Sequence, residues 1–188
     1  NAERNININA AITAQDANGK VALKYGQATT DGGTADYHIK APINLQSGNN
    51  FSTQKGSNGS VISYSVVNDA AALQAMKDSP SGNYAVGSDI DLSGIGNWEP
   101  VGSGGLRQFT GQLAGLGHTL SNLTITHSST MYVGLFGNTG SGSVIRDIGL
   151  VGGSVSGNIY VGGLVGYNNG NISNAYATGS VTGNNNVG

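Results

Sequence analysis

The sequence has no cysteine, three prolines and three histidines in 188 residues, and only 10% of it is charged and 6% aromatic. Without Cys there is no disulfide framework, thiolate metal site or thiol catalysis, although a chain of this size folds in an oxidising compartment without cross-links. Scarce Pro and a net charge of −2 argue against disorder. Eight Lys and Arg are too few for a nucleic-acid footprint. No apolar run approaches the roughly 20 residues of a membrane-spanning helix. Ala, Leu, Glu and Lys are too few for a helical bundle, and Gly does not fall at every third position as collagen demands.

In place of these stand 32 Gly, 22 Asn, 20 Ser and 13 Thr, together 87 of the 188 residues. The C-terminal half orders them into repeats. Tyr132-Val133-Gly134-Leu135-Phe136-Gly137 recurs as Tyr160-Val161-Gly162-Gly163-Leu164-Val165-Gly166, and Val187-Gly188 begins it again. A second marker runs Leu120-Ser121-Asn122-Leu123, then Ile145-Arg146-Asp147-Ile148, then Ile172-Ser173-Asn174-Ala175. Both markers give a period near 26 residues, without a helix in the unit. Short apolar runs of period 2, split by Gly and Asn, predict strand-turn-strand units that bury their apolar faces only by stacking. The expected fold is all-β, a parallel β-helix of about 26-residue coils, each advancing roughly 4.8 Å. The chain opens at Asn1 without Met and stops inside a new repeat, as expected of a piece of a longer protein.

Residues 1–66 lack the repeat but carry strand-like runs, among them 6–10, 21–25, 37–45 and 61–66, and are expected to add coils of the same solenoid. Residues 67–108 form a helix-containing insert with return strands, and 109–188 the repeat region. The helix is expected over 68–78, flanking the solenoid, with Asn68 as N-cap, Asp69 in the first turn, and Leu73 and Met76 on one face. Sixteen of the 18 charged residues lie in 1–107; Arg146 and Asp147 are the others.

Asn122, Asp147 and Asn174 share one repeat position and are expected to stack as a ladder of side chains along the axis, with ordinary turn residues as the alternative. Sequons occur at Asn50, Asn58, Asn122 and Asn171. The more loop-like Asn50 and Asn58 are the candidate glycosylation sites. Chemistry is otherwise sparse. No closely spaced His pair suggests zinc. His118, in the tight-turn sequence Gly115-Leu116-Gly117-His118, reads as structural. Asp89 and Asp91, two apart with Glu99 nearby, are the carboxylates an acid-base enzyme acting on sugars would use; their alternation with Ile90 and Leu92 reads as an exposed strand face. Gly104-Gly105 and Gly162-Gly163 read as turn or close-packing glycines. No catalytic, cofactor-binding or metal residue is expected.

Residues 160–183 resemble the GLUG motif of large bacterial surface proteins. Residues 82–93, Trp98-Glu99-Pro100-Val101-Gly102 and 109–125 resemble the block that commonly precedes it in filamentous haemagglutinin-like adhesins exported by two-partner secretion. The resemblance implies a right-handed parallel β-helix, secreted to the bacterial cell surface and passing an outer-membrane two-partner transporter during export. It also implies attachment to host cells, matrix or other bacteria, through a host-cell or matrix receptor with a glycan among the candidates, and a role in virulence. Tyr132, Tyr160, Tyr167 and Tyr176 are the rings available for sugar stacking, with capping of the core in Gly-rich coils as the alternative. The alternatives are a polysaccharide-active β-helix enzyme and a non-binding spacer. Arg146-Asp147 departs from the motif, where the next repeat has Ser173-Asn174.

Overall fold

The computed structural model describes residues 1–103 and 107–188; the Gly104-Gly105 pair lies outside them. Apart from one short helical segment, the elements are short strands. They stack coil on coil as a parallel β-solenoid of about six turns. Ile6–Ile8 pairs with Tyr37–Ile39, and Ile12–Ala14 with Ile43–Leu45. In the repeats Thr124–Thr126, Ser154–Ser156 and Ser180–Thr182 form one column, and Met131–Val133, Ile159–Val161 and Asn185–Val187 another. The coil step shortens along the chain, from 31 residues between Ile6 and Tyr37 to 26 between Val155 and Val181.

Two features depart from a simple stack. The run at 61–66 does not open another coil: Ile62–Val67 turns back antiparallel on Gly48–Lys55. The loop Gly56-Ser57-Asn58-Gly59 makes this hairpin possible, because Gly56 supplies a left-handed φ of 78° and a Cβ there would strike the Thr30 carbonyl. The helical segment then carries the chain across to the parallel strand Asn83–Val86, as a crossover connection must. It is an α-helix at Ala70–Gln74 continued as a 3₁₀ turn at Ala75–Asp78. Its N-cap is Asp69, whose carboxylate accepts from the Ala72 N–H at 2.8 Å. Asn68, expected in that role, instead donates to the Leu45 carbonyl. Leu73 and Met76 are fully buried, so the segment contributes to the core as well as flanking it.

The packing turns on one sheet. Strands Ile62–Val67, Asn83–Val86, Gln112–Ala114 and Val144–Val151 lie side by side in it. The register aligns Val66, Ala85, Ala114 and Arg146 on one face. Tyr84, Leu113 and Ile145 align on the other. Successive residues of a strand point to opposite faces, so both faces are covered here. Val67, Val86, Leu113 and Ile145 belong to a core with Trp98, Phe109, Phe136 and Val161. Val66, Ala85 and Ala114 belong to a second core with Leu23, Tyr37, Ile43, Leu45 and Phe51. The N-terminal coils therefore lie against the back of the sheet that lines the repeat solenoid. Ile43 N–H to the Leu116 carbonyl and Leu45 N–H to the Gly87 carbonyl, both 3.0 Å, tie the edges together.

Arg146 marks the limit of that cover. It extends from the back of the sheet, stacks 3.8 Å over the Tyr37 ring, and donates to Asp36 at 2.8 Å, to the Tyr37 carbonyl at 2.6 Å and to Asp147 at 2.8 Å. Its side chain is 12% exposed and that of Asp147 1%. Burial opposes the Arg146 charge, but Asp36, Tyr37 and Asp147 outweigh it and hold the guanidinium protonated more firmly than usual. One coil on, the aligned residue is Ser173. The motif departure at Arg146-Asp147 is thus the clasp between the halves.

Breaking a buried pair from one side strands a charge. Arg146→Ser is expected to cost about 3 kcal/mol. Arg146→Ser with Asp147→Asn, which installs the pair found at Ser173-Asn174, should recover part of that loss; urea midpoints of the four proteins in the cycle measure it. Burial tends to raise the Asp36 carboxyl, but the Arg146 hydrogen bond and charge prevail and hold it below its ordinary value of 3.8. A depressed carboxyl stabilises fully above its unfolded value and loses that contribution as pH falls through the folded one. Asp36→Asn is expected to reduce the fall in urea midpoint that the parent protein shows below about pH 4.

Candidate functional site

The strongest surface feature is a tyrosine cluster on the repeat coils. Met131 pairs with Ile159 and Val133 with Val161, which places Tyr132 and Tyr160 one above the other. Their rings are parallel, 3° apart in plane, with centroids 5.2 Å apart. Tyr167, on the adjoining strand Val165–Asn168, meets both at 5.8 and 5.1 Å and steep angles of 72° and 73°. Both stacked tyrosines have left-handed backbones, φ 62° and 56°. Such a conformation costs an L-residue with a bulky side chain roughly 1–2 kcal/mol. Asn186, next in the column, has φ 49° and belongs to the residue types that tolerate it. Ring stacking is worth about 0.5–1.5 kcal/mol beyond the area it buries, so it offsets much of the strain, and burial of the half-buried rings adds to it.

The adjoining strands Phe136–Thr139 and Val165–Asn168 carry no charged residue. Asn138 aligns with Tyr167, and the Thr139 hydroxyl donates to Asn168 at 2.6 Å. Among the described residues the hydroxyls of Tyr132, Tyr160 and Tyr167 make no hydrogen bond within the chain. Tyr176 stands apart, 52% exposed, its ring lying where a Cβ on Gly149 would fall.

Of the three ladder residues, two meet. Asn174 donates to Asp147 at 3.0 Å, both with left-handed φ, 48° and 56°. Asn122, φ 58°, belongs to another column: Ser121 aligns with Val151 and Asp91, and Asn122 donates to Asp91 at 3.0 Å. The cause is the turn at Gly115-Leu116-Gly117-His118, which interposes four residues between strands where the next coil runs straight through Asp147 and Ile148. The sequence marker thus falls at different places on successive coils. Asn50 is not in a loop: it sits in the strand Gly48–Lys55 with its amide donating to the Gln46 and Ser47 carbonyls. Asn58 is exposed in the hairpin loop.

The carboxylates are engaged in separate places. Asp89 accepts from the Thr119 N–H at 2.8 Å, the main cause holding its carboxyl below the usual range, and lies 3.3 Å from His118 Nδ1. Asp91 is lowered by the Asn122 amide first and the Ser93 N–H second. Glu99 pairs with Lys77 at 3.5 Å. His118 is buried, with Nε2 3.0 Å from the Ile43 carbonyl and its N–H donating to Gly115 across the turn. A shallow pocket of about 210 Å³ opens where the halves meet, lined by Lys40, His118, Asp147, Asn174 and Tyr176. Among the described residues no three His, Asp or Glu side chains converge as a metal site requires.

Comparison with known proteins bears on the same coils. Residues 157–182 match the GLUG motif. The match includes Tyr160, Tyr167 and Asn174. The chain is similar to halomucin of Haloquadratum walsbyi, 36% identical over 142 residues, which is 70% of this chain and 2% of that protein. It is also similar to a "Putative Gly-rich membrane protein" of Evansella cellulosilytica, 32% identical over 100 residues, 49% of this chain and 12% of that one. The chain therefore spans only a small part of either relative. No solved structure matches it.

Tyr160→Asn, which gives this coil the residue of the next, is expected to cost about 1–2 kcal/mol, because relief of left-handed strain offsets lost stacking but not the lost burial of the half-buried ring. Thermal unfolding of the two proteins measures the difference, and a loss well above that value would make Tyr160 a structural residue.

Proposed function

We propose that this chain is a segment of a large surface-exposed protein, a β-solenoid rod whose last coils make contact with other cells or with an extracellular matrix. The observation that carries the reading is the tyrosine cluster: left-handed backbones hold two parallel rings on the repeat coils, at positions where the next coil has Asn186. The GLUG motif and the names of the two relatives support a place at the cell surface. The finer form, a filamentous haemagglutinin-like adhesin exported by two-partner secretion, rests on the resemblance of 82–125.

The segment works by contact and does no chemistry of its own. An acid-base mechanism on sugars needs two carboxylates facing one bond. Here Asp89 serves the turn at Thr119, Asp91 holds Asn122, and Glu99 sits in another pocket with Lys77 and Arg107. A spacer is the second reading, favoured by the regular ladder of the coils.

Beads coated with the chain should attach to cells or matrix, and the Tyr132→Asn/Tyr160→Asn pair should reduce attachment at least tenfold while the circular dichroism spectrum is unchanged. Attachment no greater than that of bare beads would favour the spacer.

A further inference from the structure

A phenol that gives up one electron and its proton becomes a phenoxyl radical, whose unpaired spin is shared with the two carbons ortho to the oxygen. Two such radicals join through those carbons. Rings already held together do so readily, because proximity makes the coupling unimolecular. The p orbitals that form the bond stand perpendicular to the rings. Parallel rings aim them at each other, and steeply crossed rings do not.

Tyr132 and Tyr160 meet this condition. Their planes differ by 3° and their centroids lie 5.2 Å apart. Paired strands hold them in register, Met131 on Ile159 and Val133 on Val161. Among the described residues theirs is the one parallel pair. Tyr167 crosses them at 72° and 73°, and Tyr25 crosses Tyr37 at 66°. Tyr132 and Tyr160 are half-buried, so an oxidant reaches them, whereas Tyr25 and Tyr37 are buried. The chain has no Cys, so no disulfide ties one coil to the next.

We propose that Tyr132 and Tyr160 are a site of oxidative cross-linking, joined as dityrosine by hydrogen peroxide acting through a haem peroxidase. Each phenol loses one electron and one proton, and these reduce one hydrogen peroxide to two water molecules. One bond forms between a Cε carbon of Tyr132 and a Cε carbon of Tyr160. The hydrogen on each of these carbons then moves to the oxygen of its own ring. Both hydroxyls are restored, and the protein is lighter by two hydrogens. Rotation about the Cα–Cβ and Cβ–Cγ bonds brings the rings from the stack into the bonded position. The bond ties successive coils through residues 28 apart, and closing such a loop restricts the unfolded chain as a disulfide does. The next coil has Asn186 at the aligned place, so the cross-link stops at this pair. The inference does not depend on what the coils touch.

The test exposes the folded chain, at low protein concentration, to hydrogen peroxide and a haem peroxidase. A monomer lighter by two hydrogens and carrying dityrosine fluorescence is expected, and its digest should contain one cross-linked peptide pair, joined at Tyr132 and Tyr160. Tyr132→Phe and Tyr160→Phe keep the ring and remove the phenol. Each should lower the yield of that monomer at least tenfold with the circular dichroism spectrum unchanged. Tyr176→Phe, which alters the most exposed tyrosine, should leave the yield unchanged. Coupling confined to products between molecules, or a monomer cross-link mapped to other tyrosines, would overturn the proposal. So would a yield in Tyr160→Phe equal to that of the parent, or no loss of hydrogen from the monomer while free tyrosine in the same solution couples.

Discussion

The structure depends on one sheet buried on both faces. A strand with a single covered face alternates apolar and polar residues; a strand covered twice cannot. Val66-Val67, Ala85-Val86 and Leu113-Ala114 are adjacent apolar pairs, each divided between the two cores. A slip of one residue would exchange the faces and place Leu113 where Ala114 leaves room for the N-terminal coils. The register, and with it the position of every later coil, is constrained from both sides.

That constraint determines where charge can be. The N-terminal coils cover the back of the sheet as far as Arg146, which closes the seam against Asp36 and Tyr37. Beyond it Ser173 takes the aligned place, and the surface becomes neutral. Tyr132, Tyr160 and Tyr167 lie together on the strands Met131–Val133, Ile159–Val161 and Val165–Asn168. Beyond Leu116, Asn, Asp and Gly take the other left-handed corners, so the two places where Tyr bears that conformation stand out.

The solenoid was legible from the repeat because stacking one coil on the next requires periodicity. The helix was legible from its apolar spacing, although its N-cap lay one residue later than expected, Asp69 reaching the Ala72 N–H and Asn68 being drawn to Leu45. The back-to-back packing was less plain. Its signal, the adjacent apolar pairs, is short and easily taken for an ordinary strand run. The hairpin at 56–59 is set by local turn geometry, which a reading of parallel coils passes over. The shared position of Asn122 and Asp147 was a coincidence of pattern, since insertions at the corner at 115–118 shift phase without altering the motif. Tyr167 was visible as a ring, but its contact with Tyr132 and Tyr160 arises across coils, which the sequence does not display.

Native-state hydrogen exchange of the central sheet tests the double-faced packing most directly. Amides at Ala85, Val86, Leu113 and Ala114 should exchange only by global unfolding, with protection falling along Asn171–Ala177, where the back is bare. Exchange at Ala85 and Ala114 as fast as at Ser173 and Ala175, or loss of the N-terminal coils in a separate earlier transition without effect on those amides, would contradict it.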